Sequence, residues 1–200
     1  MPDLKYETEA AKKGYLHICG CDEAGRGPLC GPVVAAACIL DPDIRIEGLD
    51  DSKKLSEKKR NLLYAEITEK AAAWCVASAS EKEIDELNIL NASMLAMKRA
   101  IEGLKIHADF ALIDGNCTRG IPIPCTAVVK GDSKSCSVAA ASILAKVTRD
   151  RLCDELDRLY PEYNIKKNKG YPTKEHMDAV RRYGPSPIHR KSFLGFLDKK

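Results

Sequence analysis

Four carboxylates stand where they could hold divalent metal. Asp22 and Glu23 are adjacent and close the apolar run Tyr15–Cys21; Asp114 closes Phe110-Ala-Leu-Ile113; Asp132 follows Ala127-Val-Val129. Short apolar runs of this kind read as strands, so three strands are expected to end in Asp. Charge at the end of a buried strand is costly to desolvate unless something binds it. The natural partner is a divalent cation, such as Mg²⁺, which prefers hard oxygen ligands. In open α/β sheets, sites assemble at the carboxyl ends of the strands. Four carboxylates converging there could hold two divalent ions roughly 3.5–4 Å apart, an arrangement that stabilises both the attacking and leaving oxygens of an in-line phosphoryl displacement. Each Asp taken singly is also an ordinary turn former. The inference rests on the set.

Directly behind Asp22 and Glu23 comes Gly25-Arg-Gly-Pro28. Such a turn brings backbone amides and a guanidinium close to whatever the metals hold. A dinucleotide-binding loop is the competing reading of Gly25, Gly27 and Gly31. Against it, Pro32 and Val33-Val-Ala-Ala-Ala37 continue as a strand rather than a phosphate-capping helix. The acidic pair would also repel a pyrophosphate.

The elements that must position these residues follow from pattern. Tyr15–Cys21 and Gly31–Leu40 are expected as a hairpin of strands around the Gly-rich turn. Ser56 is placed to cap a helix carrying Leu62, Leu63 and Ile67; Lys59 stands where a capping box needs Glu. A third strand spans Ala72–Ser80, a short helix Glu81–Leu87, and a longer helix runs from an Asn91 cap to about Leu104. Phe110–Asp114 is the fourth strand and Ala127–Val129 a short fifth. Ser133–Tyr160 reads as the longest helix, its first half buried and its second half charged. Lys166–Tyr171 is a basic loop, and Thr173 caps a final helix ending at Gly184. The chain is therefore expected to be α/β: a five-stranded mixed sheet flanked by helices, with a small helical C-terminal part. One domain over 1–200 is expected, with residues 161–200 as a basic, substrate-binding part.

Composition agrees. The 200 residues are 44% hydrophobic, enough for a proper core. No apolar run approaches the roughly 20 residues of a membrane span, and Met1–Lys13 is too charged for a secretory signal, so the cytoplasm is the expected compartment. Nine cysteines, an odd number scattered through apolar segments, argue for small packed side chains rather than disulfides or zinc. Net charge is +3, but from Lys146 onward 14 Lys/Arg face 8 Asp/Glu, while the remainder is net acidic. A basic flank beside metal-binding carboxylates suits a polyanion.

Five blocks in order carry a resemblance. They are Asp22-Glu-Ala-Gly-Arg-Gly-Pro28 with Gly31-Pro-Val-Val, Asp51-Ser-Lys-Lys-Leu55, Ile113-Asp-Gly-Asn116, Lys130-Gly-Asp132 with Ala139-Ala-Ala-Ser-Ile-Leu-Ala-Lys146, and Lys169-Gly-Tyr-Pro-Thr173. Together they resemble type 2 ribonuclease H (RNase HII) of the bacterial type, from about Leu16 to Phe193. The resemblance implies the ribonuclease H fold and hydrolysis of the RNA strand of RNA–DNA hybrids. It also implies cutting 5′ of single ribonucleotides embedded in duplex DNA, which leaves 3′-hydroxyl and 5′-phosphate ends and removes ribonucleotides in DNA replication and repair. Two ions, Mg²⁺ or Mn²⁺, would be held by Asp22, Glu23, Asp114 and Asp132. Gly25, Arg26 and Gly27 would read the 2′-hydroxyl through backbone groups, and Tyr171 would stack on the sugar of the following deoxynucleotide. Lys53, Asn116 and Lys169 lie in matched blocks and would contact substrate.

Physical chemistry supports these roles separately. Reading a 2′-hydroxyl is how a protein tells RNA from DNA, and glycine lets backbone approach that closely. Lys53, Lys54, Lys134, Lys146, Lys166, Lys167 and Lys169 are candidate phosphate contacts, with solvated surface as the plainer reading. His189 is expected either to touch the substrate backbone or to brace the fold; His176 is expected to be structural. The chain runs only a few residues past Phe193 and carries no extra N-terminal domain, which fits a compact monomer. A binding module without catalysis would lack one of the carboxylates, and a DNA-only nuclease of the same fold would have no use for the Gly-Arg-Gly turn.

Overall fold

In the computed structural model, which describes residues 1–198, the run behind Asp22 becomes β1 (Ile18–Ala24) and the run after the glycine turn becomes β2 (Val33–Ile39). They pair antiparallel from Gly20 opposite Cys38 to Ala24 opposite Val34, so the expected hairpin is present. β3 (Ala73–Ala79) pairs antiparallel with β2, whereas β4 (Phe110–Asp114) and β5 (Cys125–Val128) continue parallel on the other side of β1. The order β3-β2-β1-β4-β5 is the expected five-stranded mixed sheet. The helices are α1 (Lys5–Ala11), α2 (Glu57–Lys70), α3 (Glu81–Leu87), α4 (Ile89–Glu102), α5 (Cys136–Leu159), α6 (Ile165–Asn168) and α7 (Lys174–Tyr183). No helix among the described residues is long and apolar enough to cross a membrane.

Alternation along β2 builds the two layers, because successive side chains point to opposite faces. Val33, Ala35, Ala37 and Ile39 share one core with Ala92, Ala96, Met97 and Ala100 of α4. Ala36 and Cys38 share the other with residues 139–141, Ile143 and Leu144 of α5 and with Leu63 and Ile67 of α2. Both sheet faces are covered, which is why β2 reads as a continuous apolar run. The fully buried Leu63, Ile67, Ile143 and Leu144 each contribute about 2 kcal/mol of hydrophobic stabilisation. Small residues set the spacing. A Cβ at Gly20 would lie 2.1 Å from the Ser137 carbonyl carbon, so α5 starts directly against the β1 backbone. A third core of Cys30, Cys153, Tyr163, Ile165, Val180 and Leu194 seats the C-terminal part on the second half of α5. All nine cysteines are free, and Cys19 and Cys21 share one face as their spacing requires.

Local differences from expectation have local causes. β1 does not end at Cys21 but carries Asp22 and Glu23 within it, opposite Ala36 and Ala35, because the partner strand is long enough to pair them. The Asn88 side chain, not that of Asn91, caps α4, and Asn91 supplies the amide it accepts. Residues 131–133 form a 3₁₀ turn and α5 starts only at Cys136, capped by Ser135. Part of the expected basic loop at 166–171 winds into α6. α3 carries a full Ser80/Glu83 capping box.

Candidate active site

The parallel pairing of β1 with β4 sets Cys21 beside Ile113, so Asp22 and Asp114 emerge next to each other at the carboxyl edge of the two central strands. Asp22 is buried, and its cross-strand partner Ala36 packs against α5, whose Ser142 hydroxyl, 2.9 Å from Ser52 Oγ, also favours the charged form of Asp22. Asp114 closes β4, and its Oδ1 accepts the Gly131 amide at 2.6 Å. That bond draws in the 3₁₀ turn carrying Asp132, which is also buried. Glu23 extends toward Arg26, whose guanidinium donates to Glu23 Oε1 at 3.2 Å.

Crowded carboxyls repel. Burial pushes Asp22 well above its ordinary range, and Glu23 and Asp114 push it further. Burial also raises Glu23, with Asp114 adding to the shift and Arg26 opposing it. Burial, then Asp51, then Asp114 raise Asp132, while Lys53 opposes. This is the signature of like charges sharing one site. The hard-oxygen donor set and the mutual repulsion, only partly offset by Arg26 and Lys53, fit divalent cations, which would be held by Asp22, Glu23, Asp114 and Asp132.

The turn behind β1 is held from below. Arg190 is fully buried and donates to four carbonyls: Nε to Gly31 at 2.9 Å, Nη1 to Arg26 at 3.0 Å and Pro28 at 2.8 Å, and Nη2 to Gly25 at 2.6 Å. Arg149, buried on α5, bonds the carbonyls of Lys169 and Cys30. Gly25 has φ +97°, and a Cβ there would lie 2.0 Å from Arg149 Nε, so both its conformation and its contact require glycine. Neither guanidinium has a carboxylate partner among the described residues, and burial followed by the charge of Arg149 pushes Arg190 down to about 10. Carbonyl dipoles take the place of counter-ions.

The 169–171 loop comes to the same place. The Leu29 amide bonds the Gly170 carbonyl at 2.7 Å, and a Cβ on Gly27 would lie 3.3 Å from Tyr171 Cε1. Gly27 and the half-exposed ring of Tyr171 therefore form one continuous surface beside Glu23 and Arg26.

The structure thus brings together Asp22, Glu23, Asp114, Asp132, Gly25, Arg26, Gly27 and Tyr171. Lys53 is exposed and close enough to Glu23 and Asp132 to act on both electrostatically. Asn116 is exposed two residues beyond Asp114 and makes no side-chain hydrogen bond to the other site residues. Lys169 is tied to Asp154 of α5 at 3.0 Å, a pair that a phosphate would have to displace. Lys54, Lys146 and Lys167 are likewise paired, with Asp50, Asp150 and Glu175. Asp132 does not end a strand: β5 closes at Val128 and the 3₁₀ turn presents it.

Sequence reasoning missed Asp51, Ser142, Arg149 and Arg190. Arg149 had a readable signal. It continues the spacing of Ser142 and Ala145 on the buried face of α5, where an arginine is out of place without buried acceptors. Arg190 had none, because its acceptors are main-chain atoms more than 150 residues away.

The comparisons agree with this geometry. A family model described as Ribonuclease HII matches residues 19–195. The chain is similar to the ribonuclease HII of Desulfitobacterium hafniense (strain DSM 10664 / DCB-2), 57% identical over 190 residues, which is 95% of this chain and 73% of that protein. Its fold is similar to the crystal structure of ribonuclease H2 from Pyrococcus horikoshii OT3, with TM-score 0.74 and 28% identity over 92% of this chain and all of that one. Bst-RNase HIII, solved in complex with Mn²⁺, shares the fold at TM-score 0.69 and 21% identity, over 92% of this chain and 65% of its own.

Proposed function

Because the chain belongs to the ribonuclease HII family, a family of ribonuclease H enzymes that cut the RNA strand of RNA–DNA hybrids, we propose that it also incises duplex DNA 5′ of single embedded ribonucleotides. The products would carry 3′-hydroxyl and 5′-phosphate ends, the chemistry would be two-metal-ion hydrolysis, and the role would be removal of ribonucleotides from DNA. The close approach of the Tyr171 ring to Gly27, beside the carboxylates, carries this reading, since a backbone turn, an aromatic face and a metal-ligand set could then meet one sugar–phosphate step.

The roles follow from position. Asp22 and Asp114, adjacent on β1 and β4, would hold Mg²⁺ or Mn²⁺ with Glu23 and Asp132. Bound there, the ions supply charge stabilisation to the attacking and leaving oxygens. A divalent ion on the family fold has a parallel in Bst-RNase HIII, solved with Mn²⁺. Glu23 holds the Arg26 guanidinium at one end of the site, where it could exchange Glu23 for a substrate phosphate. The main chain of Gly25–Gly27, immobilised by Arg190, meets the ribose 2′-hydroxyl with fixed donors and acceptors. A deoxyribose lacks the hydroxyl that these groups would bond, and a site built to hydrogen-bond a hydroxyl discriminates strongly against its absence. Tyr171 offers its exposed ring to the next, deoxy, sugar. Lys53, Asn116 and Lys169 would contact the strand, and the basic C-terminal part would hold the duplex. The protein would act as a monomer in the cytoplasm.

Tyr171→Ala tests the assignment. Loss of the stack should lower single-ribonucleotide cleavage at least tenfold, about 1.4 kcal/mol of transition-state stabilisation. Unchanged junction cleavage would reject the role.

A further inference from the structure

Behind the Tyr171 loop, Cys30, His176 and His189 lie buried with their ligand atoms within 4.8 Å of one another. The grouping has the composition of a soft-metal site, but its hydrogen bonds exclude that use. His176 Nδ1 is 3.0 Å from the Tyr171 carbonyl, which can only accept, so Nδ1 carries the proton and Nε2 is bare. His189 Nδ1 receives the Ser186 amide at 3.1 Å, and an amide can only donate, so the His189 proton sits on Nε2. The two Nε2 atoms are 3.2 Å apart. Each imidazole nitrogen then has a complementary partner, running from the Ser186 amide through His189 and His176 to the Tyr171 carbonyl. For both Nε2 atoms to ligate a metal, His189 would have to move its proton to Nδ1, against the Ser186 amide.

We propose that His176 and His189 form a one-directional hydrogen-bond relay that positions Tyr171, and that the pair determines selectivity for the ribonucleotide–deoxyribonucleotide junction. The inference rests on the proposed function. Three further observations fit it. The Tyr163 ring packs edge-on to both imidazoles, at 4.7 Å from His189 and 6.2 Å from His176, which restricts their rotation. Arg190, next in sequence to His189, holds the Gly25–Gly31 turn, so one dipeptide sets both walls of the sugar-reading surface. Burial lowers both histidines, His189 to about 4, so both rings are neutral near pH 7, as the alternating donors and acceptors require.

The pair acts through Tyr171 and touches no substrate, so its test is a ratio. The kcat/KM for a duplex with one ribonucleotide is compared with that for a uniform RNA–DNA hybrid. His176→Leu removes the donor to the Tyr171 carbonyl and should lower the ratio about tenfold, with hybrid cleavage within about threefold of wild type. His176→Asn, whose amide can replace Nδ1–H, should restore the ratio to within about threefold. Equal losses on both substrates, or an unchanged ratio, would overturn the inference while leaving the enzyme's function intact. A wild type that cuts neither duplex overturns the functional reading, and the selectivity role with it. Imidazole nitrogen NMR of the wild type gives an answer that needs no variant to fold. Protons on His176 Nδ1 and His189 Nε2 are expected. The opposite assignment, or stoichiometric Zn²⁺ binding lost in His189→Gln, contradicts the relay.

Discussion

Arg190 has no exposure and no carboxylate, yet it satisfies four main-chain carbonyls of one turn. Lysine carries three donors on a flexible stem and cannot reproduce the planar fork. Arg190→Lys should therefore lower stability by about 3 kcal/mol, from carbonyls left unpaired in the core. Single-ribonucleotide cleavage should fall at least tenfold at a temperature where the variant remains folded. Wild-type melting and activity in this variant would show that the turn holds itself. Asp22 makes the opposite case, a residue kept at a cost to stability. Its folded-state pKa lies well above the ordinary 3.8, so the metal-free protein binds more protons folded than unfolded. That stability is present below the ordinary value and is lost as pH rises through the raised one. Without metal at pH 8, Asp22→Asn should melt higher than wild type, and the gap should close near pH 3. Mg²⁺ should raise the wild-type melting temperature more than that of the variant. A variant that melts lower at pH 8 without metal would refute the strained-carboxylate account.

At the scale of elements, α5 positions most of the site. Its start meets β1 at Gly20, its middle places Ser142 where it favours the charged form of Asp22, and its second half sends Arg149 under Gly25. Gly20→Ala would force α5 off the sheet, and the clash is with backbone rather than a yielding side chain, so a loss of about 3 kcal/mol is expected in chemical denaturation. α1 holds the same end of α5 from outside: Glu7 Oε1 accepts the Ser137 amide and the hydroxyls of Ser135 and Ser137. The elements themselves were legible because β1 through β4 are short apolar runs between turn residues, and because Ser56 and Thr173 have their helix amides in reach. The shift from Asn91 to Asn88 as the cap of α4 was not legible. Asn88 takes φ +67° to do it, which asparagine tolerates, but Asn88 and Asn91 are equally good caps by residue type.

For the molecule as a whole, the carboxylates were visible in sequence because each follows an apolar run. Their convergence depends on β1 lying parallel and adjacent to β4, nearly 90 residues away, and only topology supplies that. Arg190 was opaque for the same reason: its acceptors are backbone carbonyls from a distant segment. The charge asymmetry predicts binding dominated by phosphate contacts. Affinity of the inactive Asp114→Asn variant for an RNA–DNA hybrid should fall roughly tenfold or more between about 50 and 200 mM salt. Salt-independent binding would contradict a basic docking face. The most direct measurement uses a DNA duplex with one ribonucleotide, beside an all-DNA duplex of the same sequence, with Mg²⁺ and then with chelator. A single cut 5′ of the ribonucleotide is predicted, with 3′-hydroxyl and 5′-phosphate ends, none on all-DNA and none after chelation or in Asp22→Asn. Comparable cutting of the all-DNA duplex, or ribonucleotide cleavage that survives chelation, would contradict it.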